Sequence, residues 1–353
     1  MSHPLRCLVV TSATPVSLGS KPEPERLGVV GVGNALLDII MHDDHDVHAR
    51  LGLPKGGMTL IDLVRSREIY EAMSGTIEMS GGSAANTIAG IASLGGSCGF
   101  IGKVGSDNFG EVFAHDLAAL GATVDVTVAS EAETGTGRCH VFVSPDAERT
   151  MATYLGAANQ MAPDDLSVDL LQNCDITYLE GYLFDLPPAK DAIRRSVAMA
   201  HAHDGLVALS LSDLFCVQRH RRDFLDLIVN DVDILLANEA EFLAMFEAPS
   251  VEAAFGAVEE LGVVAVVTLG ARGAAVSSSS GPLTVPARPL GDVVDTNGAG
   301  DLFAAGFLFG LAHGFEPGDA ATLGTLCAGE VITHLGARPE TDLFELAVAQ
   351  GLL

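Results

Sequence analysis

Asp295, Asn297 and Asp301 frame three small residues, Gly298, Ala299 and Gly300, in the stretch DTNGAGD. Small residues let a backbone turn sharply and approach a ligand with no side chain in the way. The run 302–312 that follows is almost wholly apolar and reads as a buried helix. The first N–H groups and the dipole of such a helix favour an anion. Asp301 at its start could be a plain helix cap. A cap leaves the small residues unexplained, and Asp295 and Asn297 as well. The stretch is therefore read as an anion hole with a carboxylate beside it. Two commoner nucleotide motifs fail. After Gly31 and Gly33 the third glycine of G-x-G-x-x-G is replaced by Leu36. The nearest phosphate-loop candidate, ending at Gly102-Lys103, has Ser97 for its first glycine and Val104 after the lysine.

The elements that must position this turn are legible as an alternation. LGVVGVGNALLDII reads as a strand entering a loop, TIAGIASLGG as a helix stopped by glycines, and CGFIGKVG as a strand. Phe109, Val112, Phe113, Leu117 and Leu120 have helical spacing. From ITYLEGYLF onward, strands and helices alternate regularly, which argues for βαβ units and a mainly parallel sheet. Segments 38–62 and 124–154 mix β runs with polar loops and are expected to form a small β appendage. Residues 1–26, rich in Pro and Ser, read as a loose extension, leaving 27–353 as one large α/β domain.

Composition narrows the function classes. With 48% apolar residues the 353-residue chain has ample material for a core, and with 5% aromatics and no Trp that core is aliphatic. The chain carries 46 acids against 19 basic residues, formally −27. Such a surface repels phosphodiester backbones, so no nucleic-acid partner is expected. A solvated acidic face is the preferred account of the charge, with a high-salt cytoplasm as the alternative. Cys7, Cys98, Cys139, Cys174, Cys216 and Cys327 include no C-x-x-C pair, which fits reduced thiols and a cytoplasmic location. No apolar run reaches the ~18 residues of a membrane helix, so no membrane partner is expected. The His-rich HDDHDVH, with His42, His45 and His48, drifts around a helix instead of converging on a metal and reads as a solvated polar loop. Gly306, Gly310 and Gly314 read as a close helix-packing face.

Taken together, GGSAANTIAGIASLGG (81–96), FIGKVGSDNFGE (100–111), ILLANEAE, VVTLGARGA and DTNGAGD resemble, in order, the motifs of the ribokinase-like (PfkB) carbohydrate and nucleoside kinases. GVGNALLDI (31–39) is similar to the start of the adenosine kinases within that family. The resemblance runs from about Leu27 to the C-terminus. It implies an α/β ribokinase-like fold with a central, mainly parallel sheet, flanking helices and a small β lid. The implied reaction is ATP-dependent phosphorylation of a hydroxyl, with Asp301 as base and the backbone of Gly298, Ala299 and Gly300 holding the transferred charge. Asn238 and Glu241 would organise Mg²⁺ through water, although Glu241 alone would read as an ordinary helix-start acid. Thr268, Gly270, Gly273 and Asn297 would line the ATP side, the glycines also fitting a plain β-turn. Asp295 would lie near a K⁺ site. On the acceptor side the resemblance implies Asp38 for ribose hydroxyls, with Asn34, Leu36, Gly81, Gly82 and Asn86 close to the acceptor. Tyr182 would lie beside a base, or else be a buried strand tyrosine. Arg138 would reach a phosphate or the acceptor, or cover a lid edge. LSLSDLF (209–215) is closer to the adenosine-kinase pattern than to the D-x-N-x-R of sugar kinases, but Asp213 and Leu214 depart from it. The expected acceptor is adenosine, giving AMP, ahead of inosine, guanosine or a sugar, in a monomer or homodimer. A non-catalytic sensor on the same scaffold would have shed the base or the anion hole, and both are present.

Overall fold

The computed structural model describes residues 26–130, 134–146, 148–278 and 281–353. The reading of an N-terminal extension, and Cys7 with it, lies outside the described residues except at Arg26. In chain order the strands are β1 (Leu27–Val32), β2 (Leu36–His42), β3 (Met58–Leu60), β4 (Ile77–Gly81), β5 (Cys98–Val104), β6 (Thr123–Val128) and β7 (Gly137–Val143). They continue with β8 (Arg149–Tyr154), β9 (Cys174–Glu180), β10 (Leu206–Ser210), β11 (Ile234–Asn238), β12 (Val264–Thr268), β13 (Ala274–Val276) and β14 (Leu283–Val285). The helices are α1 (Val47–Arg50), α2 (Leu63–Ala72), α3 (Ser83–Ser93), α4 (Asn108–Ala119), α5 (Val168–Gln172) and α6 (Pro187–Ala202). After them come α7 (Leu214–Asn230), α8 (Glu239–Phe246), α9 (Val251–Glu259), α10 (Ala299–Ala312), α11 (Pro317–Val331) and α12 (Leu343–Ala349).

Nine strands form the main sheet in the order β14-β13-β12-β11-β10-β9-β1-β5-β6. Pairing is parallel from β12 through β6 and antiparallel at β13 and β14. The central strands are apolar on both faces because both are covered. One core joins the sheet to α3, α10, α11 and α12, through residues such as Ile88, Leu302, Phe307 and Leu326. The other joins it to α5 through α9, through Val197, Phe224, Phe242 and Val258. The strand order reverses at β1, which lies between β9 and β5. Ligands of open α/β sheets bind outside the carboxyl ends of the strands at such a reversal.

Five strands form the smaller sheet, in the order β3-β8-β7-β2-β4. The sequence reading differs here in three ways. LGVVGVGNALLDII is two strands, not one: the chain leaves the main sheet at Gly33 and enters the small one at Leu36. Residues 77–81 join the small sheet, whereas residues 123–128 pair with β5 at the edge of the main sheet. Apolar alternation marks a strand but does not say which sheet it joins. HDDHDVH is also only partly solvated: His42 and His45 are exposed, but Asp43 and His48 are buried. Asp43 accepts from the N–H groups of Val47 and His48 at 2.6 and 2.9 Å, which caps α1. Among the described residues no cluster of three or more His, Cys, Asp or Glu could hold a metal, and no helix is long and apolar enough to cross a membrane. Cys98, Cys139, Cys174, Cys216 and Cys327 are free and buried.

Candidate active site

The turn at 298–300 opens α10 at the carboxyl edge of the main sheet. Gly298 is left-handed, with φ of +75°. A Cβ there would also come within 2.7 Å of the Ala337 backbone, so only glycine fits. Gly300 is exposed, and a Cβ on it would meet nothing within 4 Å. At the start of this 14-residue helix Ala299 N–H turns back to Thr296 O at 3.3 Å, while the position of Gly300 borders open space.

Asp301 lies one residue further into α10 and is tied to α3. Ser83 Oγ donates to Oδ1 at 2.7 Å and the Asn86 amide to Oδ2 at 2.8 Å. Burial raises the Asp301 carboxyl above the usual carboxylate range, against the pull of those two hydrogen bonds and of Arg338. Asn86, expected on the acceptor, is spent on Asp301 through its NH₂, while its buried Oδ1 has no partner.

Asp38 comes to the site from the small sheet. Burial pushes it up to about 6, opposed by Arg338 and Arg149 and reinforced by Asp301. Gly81 of β4 pairs with Leu36, and a Cβ on it would come to 2.4 Å from the Asp38 carboxylate, so the missing side chain makes room for that acid. Gly82 has φ of +94° and would meet Asn34 O at 2.3 Å if it carried a Cβ. Both glycines are thus required by close approach of the chain to itself. Leu36 shares the Asp38 face of β2, since strand side chains alternate.

The same alternation moves Arg138 away from the acceptor. It pairs in register with Leu37, whereas Asp38 pairs with Cys139. Arg138 therefore projects to the opposite face, where its guanidinium stacks over Phe109 and Tyr154 at 4.8 and 5.6 Å. The assignment of Arg138 to the acceptor is corrected accordingly: it packs the small sheet onto α4.

Asp295 is corrected too. It is buried, and Arg149 of β8 forms an ion pair with its Oδ2. Oδ2 also accepts from Gly336 N–H at 3.0 Å, and Oδ1 from Asn297 N–H at 3.0 Å. A carboxylate already neutralised by a guanidinium is a poor K⁺ ligand. Nε and Nη1 of Arg149 are buried without partners.

On the opposite flank, Asn238 and Glu241 form a reciprocal capping box at the start of α8. Glu241 Oε2 accepts from Asn238 N–H at 2.9 Å, Oε1 accepts from the Asn238 amide, and Asn238 Oδ1 accepts from Glu241 N–H at 2.9 Å. Burial pushes Glu241 up to about 7. Each carboxylate oxygen keeps a lone pair after these bonds. That fits a cation held through water, as Mg²⁺ prefers, but not a dehydrated one. Thr268 ends β12, and the turn to β13 contains Gly270 (φ +59°) and Gly273 (φ +92°). Gly273 is dictated by the approach of Val285 O, to 2.0 Å from a built Cβ, while Gly270 faces open space. Tyr182 is 36% exposed in the turn after β9, not buried in a strand, and its OH donates to Ser212 O at 3.4 Å.

Four residues of the site escaped the sequence reading. Ser83 was visible inside GGSAANT but had no stated partner. Arg149 carried no local signal. Arg338 donates to Ser80 O from Nε and Nη2 (3.0 and 2.7 Å), to Ser80 Oγ (2.8 Å) and to Ala85 O (2.7 Å). Burial lowers it to about 10, while Asp116, Asp38 and Asp301 hold it up. Glu180, at the end of β9, is fully buried. Its one signal was an acid closing an apolar strand.

The pfkB family carbohydrate kinase profile matches residues 53–342. Adenosine kinase of Saccharomyces cerevisiae is 29% identical over 331 residues, 87% of this chain and 95% of that protein. The crystal structure of adenosine kinase from Sinorhizobium meliloti is 42% identical with a TM-score of 0.84, over 92% of this chain and 99% of that one. A probable sugar kinase protein from Rhizobium etli is 40% identical with a TM-score of 0.85, over 94% and 100%. The ribokinase-like fold and the kinase relatives define a phosphotransferase with a hydroxyl acceptor. The chain belongs to the pfkB family of carbohydrate kinases.

Proposed function

We propose that this chain phosphorylates the 5′-hydroxyl of a nucleoside, adenosine first, with ATP as donor. The observation that carries the reading is Asp301, oriented by Ser83 and Asn86 at the mouth of an open backbone turn. Asp301 takes the proton of the acceptor hydroxyl as the new P–O bond forms and the bond to the leaving ADP breaks. The N–H groups at 298–300 hold the transferred charge. Positioning and charge stabilisation dominate such a transfer. Asp38 accepts from ribose hydroxyls, since a carboxylate can bridge two neighbouring OH groups. Asn34 and Leu36 lie on the same side of the acceptor, and the exposed ring of Tyr182 offers a face for a base. Asn297, Thr268 and Gly270 line the donor side. Glu241 would hold Mg²⁺ through water, and the ion would supply charge neutralisation on the donor phosphates. The small sheet acts as a lid that excludes water from the transfer. The chain works in the cytoplasm, as a monomer or homodimer, in purine salvage.

Adenosine is favoured by LSLSDLF, which lacks the Asn and Arg of the sugar-kinase pattern, and by the 42% identical adenosine kinase. A sugar acceptor is the second reading, favoured by the 40% identical probable sugar kinase. The test is ATP-dependent phosphorylation across adenosine, inosine, guanosine, ribose and fructose, with Mg²⁺, with and without K⁺. Adenosine is expected to give the highest kcat/KM, with no K⁺ requirement acting through Asp295. A hexose preferred over every nucleoside would sink the nucleoside reading, and no acceptor at all the kinase reading.

Gly300→Ala separates the anion-hole role from folding. The fold has room for the methyl group, and alanine in a helix is favoured over glycine by roughly 0.5–1 kcal/mol. The variant should melt at or above the wild-type temperature yet lose about 10²-fold in kcat, the scale for a disturbed oxyanion donor. Unchanged kcat would remove the phosphate from this turn.

A further inference from the structure

We propose that Glu180 sets acceptor affinity by clamping the turn that carries Asn34 onto the start of α3. The inference rests on the kinase reading above and assigns a positioning role to a residue outside it. Glu180 ends β9 where the main sheet reverses strand order, beside the end of β1. Oε1 accepts from Asn34 N–H at 2.8 Å and from the Asn34 amide at 2.6 Å. Oε2 accepts from Ala84 N–H at 2.9 Å. All three donors are neutral amides, and the carboxylate is fully buried. Burying an acid without a countercharge is costly, and burial pushes Glu180 up to about 7 despite these bonds. An apolar side chain would avoid the buried charge but orphan three buried amide donors, so the acid answers to the junction it binds.

Asn34 sits where the chain crosses from the main sheet to the small one, four residues before Asp38. Ala84 follows Ser83 and precedes Asn86, the two residues that orient Asp301. Glu180 is thus bonded to the acceptor side through one oxygen and to the scaffold of the base through the other. Gly33 completes the junction: a Cβ there would come to 2.5 Å from Glu180 Oε2 and 2.6 Å from Ala84 Cβ. A carboxylate suits this place because it offers acceptors on both sides. A glutamine offers an acceptor on one side and a donor on the other. In Glu180→Gln, either Asn34 or Ala84 must face an NH₂ group, and the clamp opens on that side.

The experiment uses the full chain, with adenosine as the first acceptor probe, or whichever panel member the wild type prefers. In Glu180→Gln the KM for the acceptor should rise about tenfold or more, the ratio expected from one amide left unpaired. The KM for ATP should stay within about twofold, because the donor side lies across the sheet. Hydrogen exchange should speed up at Asn34 and Ala84 while residues 234–241 keep their protection. Glu180→Asp keeps the charge but is one methylene short, and should give an intermediate acceptor KM even if the glutamine variant does not fold. Parallel changes in both KM values, or a lower melting temperature with unchanged acceptor KM, would overturn the clamp and leave Glu180 a structural residue. A wild type that phosphorylates nothing would count against the kinase reading instead, with amide exchange still judging the clamp.

Discussion

Asp301→Asn is expected to lower kcat by about 10³–10⁴-fold, the range for removal of a general base, while ATP affinity stays within about threefold. It is also expected to make the protein more stable, and the sign follows from the ionisation of Asp301. Its carboxyl titrates above the usual range because burial penalises the charge. A raised acid pKa means that the folded state holds its proton more tightly than the unfolded chain does. Stability therefore falls as pH rises through the window between the two values. A neutral amide removes the penalty and can still accept from Ser83. Kinetics at pH 7.5 with calorimetric melting check both halves together. Retained turnover would end the base assignment. A lower melting temperature would show that the ionised carboxylate, through Ser83 and Asn86, stabilises more than its burial costs.

Arg338→Met is expected to be the most damaging substitution away from the reacting atoms. The guanidinium bonds to Ser80 and Ala85 and is a positive charge among Asp38, Asp116 and Asp301. Removing one side of a buried charge cluster costs roughly 3–5 kcal/mol. Urea unfolding at pH 7 measures it, and the same titration at pH 5 tests the cause. Arg338 stabilises the ionised forms of its neighbours, and burial pushes Asp38 up to about 6. At pH 5 much of that charge is protonated, and the deficit of the variant should shrink. A deficit that is the same at both values would assign the effect to the hydrogen bonds alone. A deficit under ~1 kcal/mol, the scale of an exposed pair, would remove Arg338 from the site's framework.

The sequence was most informative where structure and chemistry share a few neighbouring residues. The small residues 298–300 of DTNGAGD open the helix behind them, so that turn could be read from one stretch, although the partners of Asp295 and Asp301 could not. The strand–helix alternation of the second half was equally local. Glu180 and Asn34 are 146 residues apart, and Arg338 lies 258 residues from Ser80. Nothing in either neighbourhood marks such a partner. Arg138 failed for a different reason: one residue of register decides which face of a strand a side chain takes, and LGVVGVGNALLDII did not disclose where β2 begins. Asp295 was placed at the right turn but given the wrong neighbour, because Arg149 reaches it from the other sheet. In HDDHDVH the buried Asp43 and His48 differ from their exposed neighbours only through the helix that Asp43 caps.

The packing of α10 bears on how such a protein can change its trade. A side chain on Gly306 would meet the Gly324 backbone of α11 at 2.8 Å, and one on Gly90 of α3 would meet Leu302 and Ala305 at 2.6 Å. Held so closely on two flanks, the helix that carries Asp301 can neither slide nor rotate without moving its neighbours. The residues proposed to meet an acceptor sit elsewhere, on β2 of the small sheet and on the turns after β9 and β10. Mutation can redraw those turns one at a time while the chemistry keeps its fixed address. A lineage built this way can pass from sugar to nucleoside by small steps without ever losing its reaction.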